Sequence, residues 1–167
     1  MAAPLSLNPY QVKALSLLSE AGVQFAIIGG MAMLAHGFDR PTKDLDLLVS
    51  RTPESARLLC DLMPKLVEGP LLPITEDELR LPRKLINLPS RQFKEVDILT
   101  SIGSLDTEAA WSASRTGMFG PVSARFLDLK ELIYTKLAAA EANEAPEAKR
   151  RDLADLEVLL DRWRSAA

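Results

Sequence analysis

The sequence predicts an α/β (α+β) fold: a small mixed β-sheet with helices packed on it, followed by a helical C-terminal extension. Short aliphatic runs bounded by turn residues, at 25–28, 44–49 and within 84–99, read as strands. Between them lie segments whose apolar residues recur every three or four positions, the spacing of one helix face. Beyond residue 103 the helical spacing dominates. The 167 residues therefore read as a single domain, with an α/β core over 1–102 and a mainly helical part over 103–167.

Each element has its own warrant. Asn8 and Pro9 suit an N-cap and first helical position, and Tyr10, Ala14, Leu17, Leu18 and Ala21 follow at helical spacing until Gly22. Residues 25–28 form a short apolar strand stopped by Gly29 and Gly30. Residues 31–36 read as a helix ended by Gly37, and a polar loop over 39–43 leads into a strand at 44–49. Thr52-Pro53-Glu54 opens a helix with Leu58, Leu59, Leu62 and Met63 on one face. Four prolines between 64 and 83 make that stretch mostly loop, with one turn capped by Thr75 and Glu78. Residues 84–88 and 93–99 are expected to pair as a hairpin across Pro89 and Ser90. Residues 104–114 read as a helix and 117–126 as one extended segment. Asp128 and Glu131 form a capping box for a helix running to about residue 143, and Pro146 starts a last amphipathic helix with Leu153, Leu156, Leu159, Leu160 and Trp163.

Composition narrows the function classes. With 47% hydrophobic and 26% charged residues the chain has the make-up of a globular domain, and a net charge of -3 excludes a global basic field for nucleic acid. A local basic group (Arg80, Arg83, Lys84, Arg91 and Lys94) would guide an anionic acceptor or simply be solvated. The single cysteine, Cys60, allows no internal disulfide and reads as a packing residue on a helix face. No apolar run approaches the roughly 18 residues needed to cross a bilayer, so no membrane partner is expected, and the absence of a signal-like start points to the cytoplasm.

The chemistry concentrates around Asp44 and Asp46. Alternate residues of a strand point the same way, so both carboxylates share a face, about 7 Å apart. Two such acids on an otherwise apolar strand need a cation, and hard oxygen donors suit Mg²⁺, with Mn²⁺ as an alternative. Gly29 and Gly30 let backbone amides approach a phosphate closely. Asp97, in the run Val96-Asp97-Ile98-Leu99, would bring a third carboxylate from a neighbouring strand, either to complete a metal site or to act as general base. Arg40 and Lys43 in the preceding loop serve either phosphate contact or charge balance. His36, the only histidine, is as well placed for helix capping as for substrate contact, and Trp111 and Trp163 read as packing residues.

A diglycine, thirteen residues (31–43), Asp-x-Asp between hydrophobics and a later aspartate together resemble the nucleotidyltransferase superfamily that includes DNA polymerase β. Residues 25–49 are similar to its small prokaryotic branch, which holds abortive-infection toxins and antibiotic nucleotidyltransferases. Lys136 on a helix, followed by Arg151-Asp152-Leu153-Ala154-Asp155-Leu156, is similar to an arrangement in the toxin-like members. The resemblance implies a nucleotidyltransferase fold and transfer of a nucleoside monophosphate from an NTP to a hydroxyl of an acceptor (tRNA, another RNA, protein or small molecule). It implies Asp44, Asp46 and Asp97 as catalytic and metal-binding residues, and Gly29, Gly30, Lys43 and Lys136 as nucleotide-binding residues. Asp152 and Asp155 would shape or support the site. Gly30 departs from the serine common at that position. A cognate antitoxin or self-association would be the protein partner. The alternatives are a non-catalytic member of a toxin–antitoxin pair acting by protein binding, and a metal-dependent glycosyltransferase, for which the chain is short.

Overall fold

The computed structural model describes residues 5–67, 70, 73–88 and 95–166. Among the described residues, six strands form one mixed sheet in the order β3-β4-β2-β1-β6-β5, with seven helices. This is the expected α+β architecture.

Helix α1 (Pro9–Glu20) starts in a full capping box. Asn8 Oδ1 accepts from the Gln11 amide at 2.8 Å and Gln11 Oε1 accepts from the Asn8 amide at 3.0 Å, which satisfies two donors at the helix start. Gly22, at φ +76°, turns the chain into β1 (Phe25–Ile28). Helix α2 (Gly29–Ala35) begins two residues earlier than its apolar spacing suggests, so the diglycine is its first turn rather than its preface. Strand β2 (Leu45–Val49) runs antiparallel to β1, with Asp46 opposite Ile28. Helix α3 (Pro53–Leu66) is capped by Thr52 and takes in Pro64, one of the four prolines assigned to the loop; the helix runs only two residues past that ring, which removes one amide donor from its last turn. The short α4 (Glu76–Arg80) has the expected Thr75–Glu78 capping box.

Strand β3 (Leu85–Asn87) is antiparallel to β4 (Val96–Leu99), as a hairpin requires. The turn at Pro89 and Ser90, the expected strand start at 93, and Arg91 and Lys94 lie outside the described residues. β4 runs parallel to β2 with Asp97 level with Asp46. Helix α5 (Thr107–Ala113) starts later than expected because Asp106 caps it, accepting from the amides of Glu108 and Ala109.

The last third departs from its expected character. Residues 117–126 are not one extended segment but most of a hairpin, β5 (Arg115–Phe119) and β6 (Val122–Phe126), turned at Gly120 with φ +59°. β6 returns to the sheet and lies parallel to β1. Helices α6 (Leu129–Ala142) and α7 (Pro146–Ala166) then pack as a pair. Asp128 occupies the N-cap of α6 but makes no capping bond; its carboxylate meets Arg115 at 3.4 Å instead. On α7 the buried stripe is Asp152, Asp155 and Leu159, whereas Leu153 and Trp163 are exposed, so Trp163 is not the packing residue the sequence suggests. Leu15, Leu18, Ile27, Leu45, Leu47, Leu59 and Phe119 lie in the core.

Candidate active site

The end of β2 at which it meets α2 opens into a cleft of about 720 Å³, lined by Gly29, Gly30, Thr42, Lys43, Asp44, Asp46, Lys136 and Asp152 among others. Six of the seven residues that the resemblance marks as catalytic, metal-binding or nucleotide-binding share this space, with Arg40 and Asp152 beside them. Asp97 does not line it.

Asp46 is the electrostatic centre. Burial, then the negative charge of Asp97, then that of Asp44, push its carboxyl up to about 6, against an ordinary 3.8; Lys136 and Arg40 pull the other way. A carboxylate held in this manner is short of positive charge. Asp97 reaches it from the adjacent strand, about 4.8 Å away in the sheet. Its own Oδ1 accepts a hydrogen bond from the Asn87 side chain on β3.

Gly29 is fixed twice over. Its φ of +64° suits glycine, and a Cβ there would lie 2.5 Å from Asp46 Oδ2. Gly30 is fixed by a different neighbour: a Cβ would fall 2.6 Å from Cβ of Thr42 and 2.7 Å from its hydroxyl. The diglycine therefore brings the backbone against the acidic strand on one side and against the 39–43 loop on the other.

Lys136 lies on α6, only 8% exposed, and its ammonium is held on α7 by Asp155 at 2.7 Å and Asp152 at 3.3 Å. Asn143 donates to the second oxygen of Asp152 at 2.9 Å. Arg40 grips Asp155 through Nε and Nη2 at 3.0–3.2 Å. Burial alone would raise the Asp155 carboxyl, but the hydrogen bonds from Arg40 and Lys136 outweigh it and hold the group below its ordinary value. So Asp152 and Asp155 make cross-element bonds rather than ion pairs along α7, and Arg40 is committed to Asp155 rather than to the cleft's acids.

Several contributors carried little sequence signal. Gln11, 1% exposed, donates through Nε2 to the carbonyls of Lys43 at 2.6 Å and Glu95 at 3.1 Å, tying α1 to the approaches of β2 and β4. Asn8 adds a bond to Glu95 at 2.7 Å. Thr42 and Asn143 line the cleft unannounced by any motif. His36 instead contacts the Leu127 carbonyl at 2.9 Å and the edge of Phe126 at 5.1 Å, a packing role. The Cys60 thiol is pushed up by burial and by Glu76, Asp61 and Glu78, which disfavours the nucleophilic thiolate.

Among the described residues, no three acidic, histidine or cysteine side chains are arranged to close on a metal ion by themselves. What fits a divalent cation is the Asp44 and Asp46 pair: hard oxygens lining an open cleft, one with a raised pKa, leaving other positions for water and phosphate. Such a cleft can neutralise a polyphosphate and bring it beside a carboxylate able to take a proton.

No helix among the described residues is long and apolar enough to cross a membrane. No curated protein matches the sequence. Residues 13–167 match the family model described as "Nucleotidyl transferase AbiEii toxin, Type IV TA system". That match spans the acidic strand, the diglycine turn and the Lys136–Asp155 network, and by it this chain belongs to the AbiEii family of nucleotidyltransferase toxins.

Proposed function

We propose that the chain transfers a nucleoside monophosphate from an NTP to a hydroxyl of an acceptor, releasing pyrophosphate, with Asp44 and Asp46 holding Mg²⁺ or Mn²⁺. The observation that carries this reading is Asp46: a carboxylate raised to about 6 by burial and by two neighbouring acids, set against a glycine that admits no side chain. When bound, the divalent ion supplies charge neutralisation for the triphosphate and acidifies the attacking hydroxyl. The chain's residues do the rest. Gly29 and Gly30 keep the phosphate path free of side chains, and Lys43 lines its outer wall. Lys136 contributes positive charge from the inner wall, oriented by Asp152 and Asp155. Asp97 adds negative potential beside Asp46 and, from behind the cleft wall, is the base assigned to the acceptor proton while Asp44 and Asp46 hold the metal. Its exchange of Asn87 for a substrate group would accompany binding.

The acceptor stands open among RNA (tRNA included), protein and small molecules, and membership of a toxin–antitoxin family makes a cognate antitoxin the natural protein partner. The test is incubation with each α-labelled NTP, Mg²⁺ and cell extract, with calorimetric titration of the four nucleotides alongside. Label is expected in one macromolecular or small-molecule fraction, and Asp44→Ala and Asp46→Ala should remove both label and nucleotide binding. An unmutated protein that binds none of the four nucleotides would overturn the proposal.

A further inference from the structure

A second cleft, of about 560 Å³, lies at the far end of β2 from the acidic pair, lined by Arg51, Thr52, Asp77, Arg80, Leu81, Asp106, Thr107 and Glu108. β2 and β4 are parallel, and both end on this side. In α/β sheets the crevice beyond the carboxyl ends of parallel strands is a common ligand position. Among the described residues, just two buried side-chain polar atoms lack a hydrogen-bond partner, Arg51 Nε and Thr107 Oγ1, and both residues line this cleft. Thr107 is 3% exposed. A buried donor without a partner costs about 1–3 kcal/mol, so two in one place ask for an acceptor.

Of the three acids in the wall, Asp77 sits in the first turn of α4, where the positive end of the helix dipole offsets its charge, and the other two are hydrogen-bonded elsewhere. Asp106 accepts from the amides of Glu108 and Ala109, and Glu108 accepts from the Ser50 hydroxyl at 2.7 Å. Arg51 and Arg80 form no ion pair among the described residues. Both orphaned atoms, the guanidinium N–H and the hydroxyl, can donate, and one of them carries positive charge. We propose that this cleft is a second site, separate from the nucleotide cleft, which binds a small molecule through a carboxylate or phosphate oxygen that accepts from Arg51 Nε and Thr107 Oγ1. Asp46 and Arg51 are five residues apart, roughly 16 Å along an extended chain, so occupancy here need not compete with a nucleotide.

The full chain, labelled with ¹⁵N, would be titrated separately with inorganic phosphate and with acetate at constant ionic strength, following the Arg51 Nε–H and Thr107 amide signals. A saturable shift of both with either anion is expected, and the anion that saturates identifies the ligand's acidic group. Thr107→Val should weaken binding at least tenfold, Thr107→Ser should retain it, and Arg51→Met should abolish it. Because Asp44→Ala removes the nucleotide cleft's acid, saturation unchanged in that variant separates the two sites. Linear shifts with both anions, or equal affinity in Thr107→Val and Thr107→Ser, would overturn the proposal.

Discussion

Asp46 and Gly29 set opposite constraints on the same few ångströms. The Asp46 carboxyl, raised from 3.8 to about 6, binds a proton in the folded chain that the unfolded chain has already lost between those values. Stability must therefore fall as pH rises through that window, and the whole penalty stands above about pH 6. A displacement of that size corresponds to up to about 3 kcal/mol. In EDTA, Asp46→Asn should be more stable than the parent in urea at pH 7.5, with the gap closing towards pH 4; equal midpoints at pH 7.5 would deny the strain. Gly29→Ala acts in reverse. A methyl group would meet Asp46 Oδ2 at 2.5 Å on a backbone at φ +64°, so a loss of about 1–3 kcal/mol is expected in the same urea series. Both residues were legible in the sequence because strand alternation and a glycine pair are short-range signals. Thr42 was not: its contact with Gly30 spans twelve positions and follows no periodicity.

Elements show where sequence reading stops in physical terms. Caps at Asn8, Thr52 and Thr75 are local, and the chain declares them. The β5–β6 hairpin has no such declaration, since Arg115, Thr116 and Met118 face solvent on an edge strand and offer no clean alternation. Helix α7 misleads more thoroughly. Leu153 and Trp163 mark a face that is exposed, while Asp152 and Asp155 turn inward because Lys136 and Arg40 await them from α6 and the 39–43 loop. Removing one partner from such a buried network strands the others. Asp155→Ala should cost about 3–5 kcal/mol, measured by chemical denaturation, and loosen Lys136 and Arg40 together. Asp155→Asn should keep the shape and lose less. The group's lowered pKa gives the sign of the acid response: this stabilisation is complete above 3.8 and is lost as pH falls below it. If Asp155→Ala unfolds no more readily than the parent, the network is not what fixes α7 against α6 and the 39–43 loop.

For the molecule as a whole, the order β3-β4-β2-β1-β6-β5 decides how far the acidic core can stand alone. A chain ended at residue 102 would retain β1 to β4 and all three acids. It would also leave β1 as an unpaired edge, stripped of the Leu127 amide that bonds the Ile27 carbonyl at 3.0 Å. Phe119, Phe126, Leu127, Leu132 and Leu159, all deeply buried, would be gone from the core. At about 25 cal/mol per Å² of apolar surface, side chains of this size contribute about 1.5–3 kcal/mol each, a sum comparable with the whole stability of a small domain. Arg40 would also lose Asp155, and the cleft the wall formed by Lys136, Asn143, Arg151 and Asp152. The 1–102 fragment is therefore expected to show no cooperative thermal transition by circular dichroism and a collapsed amide spectrum, whereas the full chain gives one transition. A fragment that melts cooperatively and disperses its amide signals would show that the hairpin and helices merely decorate a self-sufficient sheet. The cleft would then be assembled by docking two bodies rather than by folding one.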